Sequence, residues 1–216
     1  MGLIFLFVFG LIVSPALAFK GTYKVGAVFS ITGRTSFLGD PENKTALMLA
    51  EQINNAGGIN GKKLELIVYD TEGDATKTNL AVKKLINKDK VSVVIGPSLS
   101  GTSLAVLPVA EENETPLVSC AASYKIVHNE KTGKPYKWVF KTPQTDTMAV
   151  EAIYTQLKKR GLNKIAIMSV TSGFGASGRG ELIRLAPQYG MNIVADEKYG
   201  PKDTDMTAQL TKIKGL

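Results

Sequence analysis

Cysteine, histidine and tryptophan each occur once in this chain of 216 residues, and that scarcity removes whole classes of chemistry. The single cysteine, Cys120, has no partner within the chain, so the fold does not rest on a disulfide scaffold. Cys120 continues an apolar strand (residues 116–120, PLVSC) and is expected to be buried and inert; it also lies too far from the N-terminus to be a lipidated N-terminal cysteine. The single histidine, His128, sits in a polar loop (HNEKTGKP), which leaves neither a histidine-based catalytic triad nor a histidine cluster for zinc. No nucleophile–base pair stands out elsewhere. The chain is therefore not read as an enzyme, and no metal or cofactor is expected. Charge of one sign is not concentrated either. The 26 basic and 19 acidic residues leave a net charge of +7 that is spread over both halves. The densest basic cluster, Lys158-Lys159-Arg160, falls at a helix end, where cations suit the negative end of the dipole, so nucleic acid is not an expected partner.

What is present is ordinary for a globular protein. The composition, 44% hydrophobic and 21% charged with 21 Gly and 9 Pro, excludes disordered, collagenous and low-complexity readings. The length suits one or two domains of roughly 100 residues each. Residues 1–18 (MGLIFLFVFGLIVSPALA) carry no charged side chain and end in Ala16-Leu17-Ala18, the small-x-small pattern that signal peptidase accepts. The apolar run over residues 3–13 spans only about half a bilayer core at about 1.5 Å per residue, too little for a membrane crossing. The expectation is a signal peptide over residues 1–18, export to the periplasm, and a soluble mature chain starting at Phe19.

After that leader, strand-like and helix-like segments alternate. Strands are expected at residues 23–30 (YKVGAVFS), 64–70 (LELIVYD), 91–95 (VSVVI), 116–120 (PLVSC), 164–170 (KIAIMSV) and 192–198 (NIVADEK). A helix is expected over residues 41–56, opening with Pro41 in its first turn, ending at Gly57-Gly58, and turning Ala46, Leu47, Leu49, Ala50 and Ile53 to one face. Asp74 caps a second helix with Leu80, Val82, Leu85 and Ile86 inward. Further helices are expected from near Thr102 to Glu112, from Asp146 to Arg160, from Arg179 to Tyr189 and around residues 205–214. Alternating strands and helices give parallel sheets. The fold class is thus α/β, in two layers: an N-terminal lobe over residues 19–142, and a second, partial lobe over residues 143–216, with the boundary near Thr142-Pro143.

In open parallel sheets, ligands bind beyond the carboxyl ends of the strands. The loop Gly96-Pro97-Ser98-Leu99-Ser100-Gly101 joins a buried strand to a helix start, where small residues and outward amides suit a carboxylate. The same spacing equally fits Ser98 or Ser100 acting only as a helix cap. Ala121, Ala122 and Ser123 occupy the equivalent loop after the next strand, either as an ordinary serine-containing turn or as groups that hold a ligand.

Three segments, KVGAVFSITGRTSFLGDPENKTALMLAEQINNAGGINGKKLELIVYD, VIGPSLSGTSLAVLPVAEENETPLVS and KIAIMSVTSGFGASG, resemble the periplasmic substrate-binding proteins of branched-chain amino acid ABC transporters. The resemblance runs in order over nearly all of residues 23–216, and its most specific elements are the G-G-I-N-G-K turn and the I-G-P-x-x-S-G loop. It implies a type I periplasmic binding fold, in which two lobes close on an amino acid or similar small carboxylate, a membrane permease as partner, and a monomer. By position it implies that Ser100 binds the ligand carboxylate. Ala121 through its backbone and Ser123 through its hydroxyl would hold the carboxylate and ammonium; Leu38 and Leu99 would line the side-chain pocket; and Phe174 would close from the second lobe. Family members often carry Tyr at the positions of Leu38 and Phe174, so the pocket here is more apolar. Family members also continue past Leu216, so the expectation is a fragment that lacks later ligand groups and binds weakly alone.

Other motifs point elsewhere. Residues 173–178 (GFGASG) fit the dinucleotide fingerprint G-x-G-x-x-G, with Asp196 near the end of the next strand, which makes a nicotinamide-dependent oxidoreductase the alternative. Thr171-Ser172 stand between the strand and the first glycine, which the fingerprint does not allow. A sensory ligand-binding domain is a third reading. Residues 57–63 (GGINGKK) lie between a helix and a strand, the wrong order for a phosphate loop, and read as a turn. Asp70, Glu72 and Asp74 are close enough to hold a cation, but are expected to be a cap and solvated neighbours.

Overall fold

The computed structural model describes residues 19–216, so the expected signal peptide lies outside the described residues. Strand β1 (Thr22–Phe29) is an interior strand of the chain's larger sheet, and its apolar run is buried from Val25 onward. It pairs in parallel with β2 (Lys63–Asp70), from Thr22 against Lys63 to Phe29 against Asp70, and on its other edge with β3 (Val93–Ile95). β3 pairs with β4 (Leu117–Ser119). After a short antiparallel hairpin, β5 (His128–Asn129) and β6 (Lys134–Pro135), strand β7 (Val139–Lys141) returns to pair with β4. The result is a five-stranded sheet in the order β2-β1-β3-β4-β7, parallel throughout. Beyond it, β8 (Lys164–Val170) and β9 (Asn192–Tyr199) form a separate parallel pair with an irregularity between Ile165 and Ala166.

The helices are α1 (Ser36–Asn55), α2 (Ala75–Lys84, continued by a π-helical turn Leu85–Asp89), α3 (Ser100–Glu112), α4 (Asp146–Lys159), α5 (Gly173–Tyr189) and α6 (Thr207–Lys214). Val28, Val82, Leu85, Val94, Val106, Leu117 and Ile126 form the core under the larger sheet. Val150, Tyr154, Leu185, Ala186 and Met191 form a second core between α4, α5 and the β8–β9 pair. Tyr154 is fully buried there because its hydroxyl has a partner, donating to Leu182 O at 2.7 Å. Each large side chain so buried is worth about 1.5–3 kcal/mol. Among the described residues no helix is long and apolar enough to cross a membrane.

The α/β class and the order of elements agree with the sequence reading, but several boundaries and facings differ. α1 begins at Ser36, so Pro41 stands in its second turn rather than its first. There it removes one hydrogen-bond donor without ending the helix. Leu47 (49% exposed) and Leu49 (46%) do not face inward. The inward line is Ala46, Ala50 and Ile53, spaced i, i+4, i+7, and the two leucines flank it. Leu80 is likewise exposed (63%), since the same spacing on α2 selects Thr78, Val82 and Leu85. α3 starts at Ser100 rather than near Thr102, and β3 is shorter than residues 91–95.

The largest difference is α5, which starts at Gly173 instead of Arg179, so GFGASG is helix and not loop. Ser172 caps this early start, its Oγ accepting from Gly175 N at 3.2 Å. Gly175 is needed for contact, not for flexibility: a Cβ there would lie 1.9 Å from Val170 O. Cys120 is only partly buried; burial first, with the nearby Glu42 charge adding to it, pushes its thiol up to about 12.

Candidate ligand-binding cleft between the two sheets

The loops after β1, β2 and β3 project toward the start of α5. Each is fixed by polar contacts that its own sequence supplies. Burial opposes ionisation of Asp70 at the end of β2, but hydrogen bonds from Thr32, Glu72 and Ile31 outweigh it and hold the carboxyl below its ordinary value. Its Oδ1 accepts from Ile31 N (2.9 Å) and Glu72 N (2.9 Å), and its Oδ2 from Thr32 Oγ1 (2.5 Å). One carboxylate thus shapes the loop after β1 and the turn into α2. Asp74 caps α2 by accepting from Lys77 N at 2.7 Å, and Glu72 pairs with Lys77. The acidic trio is occupied in this way, and no group of metal-ligating side chains is found among the described residues.

The resulting cleft is about 440 Å³, and its walls include Arg34, Thr35, Gly73, Leu99, Ser100 and Phe174. Its central feature is the meeting of two helix N-termini. Gly173, first residue of α5, lies so close to α3 that a Cβ on it would sit 2.8 Å from Gly101 N and 3.3 Å from Ser100 C. No side chain caps the start of α3. Neither serine of the Gly96–Gly101 loop therefore serves as its cap. Ser98 Oγ instead donates to Glu42 Oε2 (2.5 Å) and accepts from Ser30 N (3.1 Å). Burial raises the Glu42 carboxyl above its ordinary value, with the Ser98 bond opposing the shift. Two helix ends, each carrying roughly half a positive charge, thus share one spot and favour an anion there. The Oγ of Ser30 and Oγ1 of Thr35, both buried, have no hydrogen-bond partner.

Of the residues singled out in the sequence, Leu99, Ser100 and Phe174 line this cleft together. Leu38 does not; it stands on α1, 40% exposed. Ala121 N donates to Ser119 Oγ at 3.1 Å. Ser123 is fully buried: its N–H donates to Ser100 Oγ (3.3 Å) and its hydroxyl to Ser177 Oγ (2.8 Å). The sequence reading does not find Ser177, which takes the Ser123 proton across the junction and passes its own to Asp146, nor Arg34, whose Nη1 donates to Pro201 O (2.5 Å), nor Lys141, whose Nζ donates to Ala122 O and Gln144 O. Apart from Lys141 and Gln144, these partners are well separated in the chain, and no local pattern announces them. The dinucleotide alternative finds no support: its glycines are inside α5, and Asp196 is engaged by Arg179 Nε at 2.7 Å.

A family model described as Periplasmic binding protein matches residues 22–216. The chain is 27% identical to the leucine-, isoleucine-, valine-, threonine-, and alanine-binding protein of Pseudomonas aeruginosa, over 89% of this chain and 51% of that one. Among solved structures it is similar to the branched-chain amino acid transporter substrate binding protein LivJ of Streptococcus pneumoniae in complex with isoleucine, with a TM-score of 0.76 at 28% identity, covering 90% of this chain and 54% of that one. A solute binding protein of an ABC transporter from Rhodopseudomonas palustris BisB5, in complex with 3,4-dihydroxybenzoic acid, matches with a TM-score of 0.75 at 25% identity, covering 90% and 52%. The chain spans about half the length of the curated relatives it matches. A parallel α/β architecture in two sheets, and a family match over nearly all the described residues, place this chain in the periplasmic binding protein family.

Proposed function

We propose that the chain takes up a small carboxylate, foremost a branched-chain amino acid, between a first lobe (residues 19–142) and a second (residues 143–216), as the solute-binding part of an ABC importer. It works in the periplasm as an exported monomer that hands its ligand to a membrane permease, and it performs no bond chemistry. The observation that carries this reading is the convergence of the α3 and α5 N-termini at Ser100 and Gly173. The ligands named for the two solved relatives, isoleucine and 3,4-dihydroxybenzoic acid, share a carboxylate and differ in the rest. Ser100 and the first amides of α3 hold that carboxylate, each charge-assisted bond being worth about 1.5–3 kcal/mol. Leu99 and Phe174 flank the side chain. Ser123, Ala121 and Leu38 join only as the lobes move about the crossover, since in this arrangement the first two are committed internally and Leu38 stands apart.

Calorimetric titration tests the reading with L-leucine, 3,4-dihydroxybenzoate and L-leucinamide, which keeps the ammonium and side chain of leucine but lacks its carboxylate. Binding of at least one carboxylate with no binding of leucinamide is expected. Equal binding of leucine and leucinamide overturns the reading.

A further inference from the structure

Four buried residues from both lobes are joined by hydrogen bonds, one of them through a backbone amide. Ser100 Oγ accepts from Ser123 N at 3.3 Å; Ser123 Oγ donates to Ser177 Oγ at 2.8 Å; Ser177 Oγ donates to Asp146 Oδ2 at 2.5 Å. Tyr124 N donates to the same Oδ2 at 3.2 Å, and Lys125 N to Ser123 Oγ at 3.3 Å. All four residues are at most 5% exposed, and Asp146 belongs to none of the ion pairs among the described residues. A buried carboxylate is costly unless donors or a cation face it, and Lys141, whose ammonium is stabilised by the Asp146 charge, is near without bonding it. Here the donors are a hydroxyl and an amide that belong to different elements, Ser177 on α5 and Tyr124 in the loop after β4.

The order of protons in this run follows from chemistry. An ionised carboxylate only accepts, so Ser177 gives it its single proton. Ser177 then has only lone pairs left for Ser123, so the Ser123 proton points into the second lobe. We infer that Asp146, acting through Ser177, is a positioning residue: it fixes the rotation of the Ser123 hydroxyl and ties the loop after β4 to α4 and α5. The relay leaves Ser123 as an acceptor only, already used by Lys125 N–H, while Ser100 keeps its own proton for the cleft. The two serines on which the resemblance places the ligand thereby have opposite polarity. The relay itself does not depend on which ligand the cleft takes.

Because Asp146 and Ser123 share Ser177 as their link, their effects must be coupled through it. The test is a mutant cycle on the ligand-free chain, using Asp146→Asn and Ser123→Ala singly and together, with Ser177 intact and then in a Ser177→Ala background, read by denaturant unfolding. With Ser177 present, the double variant is expected to depart from additivity by about fivefold or more in the unfolding equilibrium constant, and in the Ser177→Ala background to be additive. Additivity in both backgrounds overturns the relay. If Asp146→Asn does not fold, Ser177→Ala alone decides the matter by amide hydrogen exchange. Protection at Lys125, whose N–H reports the Ser123 oxygen and does not bond residue 177, is expected to fall by about tenfold. Unchanged protection at Lys125 refutes the proposal.

Discussion

Replacing Gly173 with alanine sets two effects of one methyl group against each other. In a helix interior, alanine is favoured over glycine by about 0.5–1 kcal/mol. At residue 173, however, the new Cβ would lie 2.8 Å from Gly101 N and 2.9 Å from Gly101 Cα, both backbone atoms at the start of α3. Restoring ordinary contact at about 3.5 Å requires the two helix ends to part by about 0.7 Å. Neither end yields easily, because Ser172 caps α5 and the Ser123–Ser177 bond crosses the same junction. Overpacking of this kind costs about 1–3 kcal/mol, so with the propensity gain subtracted Gly173→Ala destabilises by about 0.5–2 kcal/mol net. That is a fall of about 2–4 °C in Tm for each kcal/mol. The control is Gly180→Ala, in the same helix, where nothing lies within 4 Å of the new Cβ. There only the propensity gain operates, and Tm rises. Thermal unfolding of both variants by circular dichroism tests the comparison. A Gly173→Ala chain as stable as the wild type, or the same loss at residue 180, refutes the close approach of α3 and α5.

Other outcomes follow from the same contacts. Ser100→Ala is expected to weaken binding of a carboxylate ligand by about tenfold or more while leaving the far-UV spectrum unchanged, because a charge-assisted bond is lost from the cleft. Glu42 has its pKa raised above the unfolded value of 4.5 by burial, so its ionised form opposes folding at neutral pH. Glu42→Gln is therefore expected to raise stability at pH 7, and the gain should disappear below pH 4.5, where both states are protonated. Asp70 has the opposite sign. Its lowered pKa contributes stability above the unfolded value of 3.8, lost as pH falls through the folded value, and Asp70→Asn should remove that part of the acid transition in urea melts. The Cys120 thiol, pushed up to about 12, should react with a disulfide reagent at pH 8 far more slowly in the folded chain than in denaturant; equal rates contradict its placement.

Apolar periodicity made much of the fold legible. Strand Lys164–Val170 has the limits read from its alternation with helices, and Asp74 caps α2 because the residue type and its place before an apolar stripe carry that information locally. The errors fall where the local signal is weak or contradictory. Pro41 reads as a helix opening, yet the turn before it is helical. The glycines of residues 173–178 carry no apolar signal and have poor helix propensity, so the first turns of α5 look like a loop. Gly173 and Gly175 are small because neighbouring backbone presses on them, which only the folded chain reveals, whereas Gly178 faces open space. The cleft was legible in part, since Leu99, Ser100 and Phe174 meet there. The bonds between the sheets were not. Ser123 and Ser177 stand 54 residues apart, and their meeting depends on how the loop after β4 docks against α5.

An anion seated between the paired helix starts would register directly in backbone amide NMR. On addition of L-leucine, the largest shifts are expected at the amides of Gly101, Thr102 and Gly173, with none on addition of L-leucinamide. Shifts that leave those three amides unmoved while the ligand binds elsewhere contradict that seat.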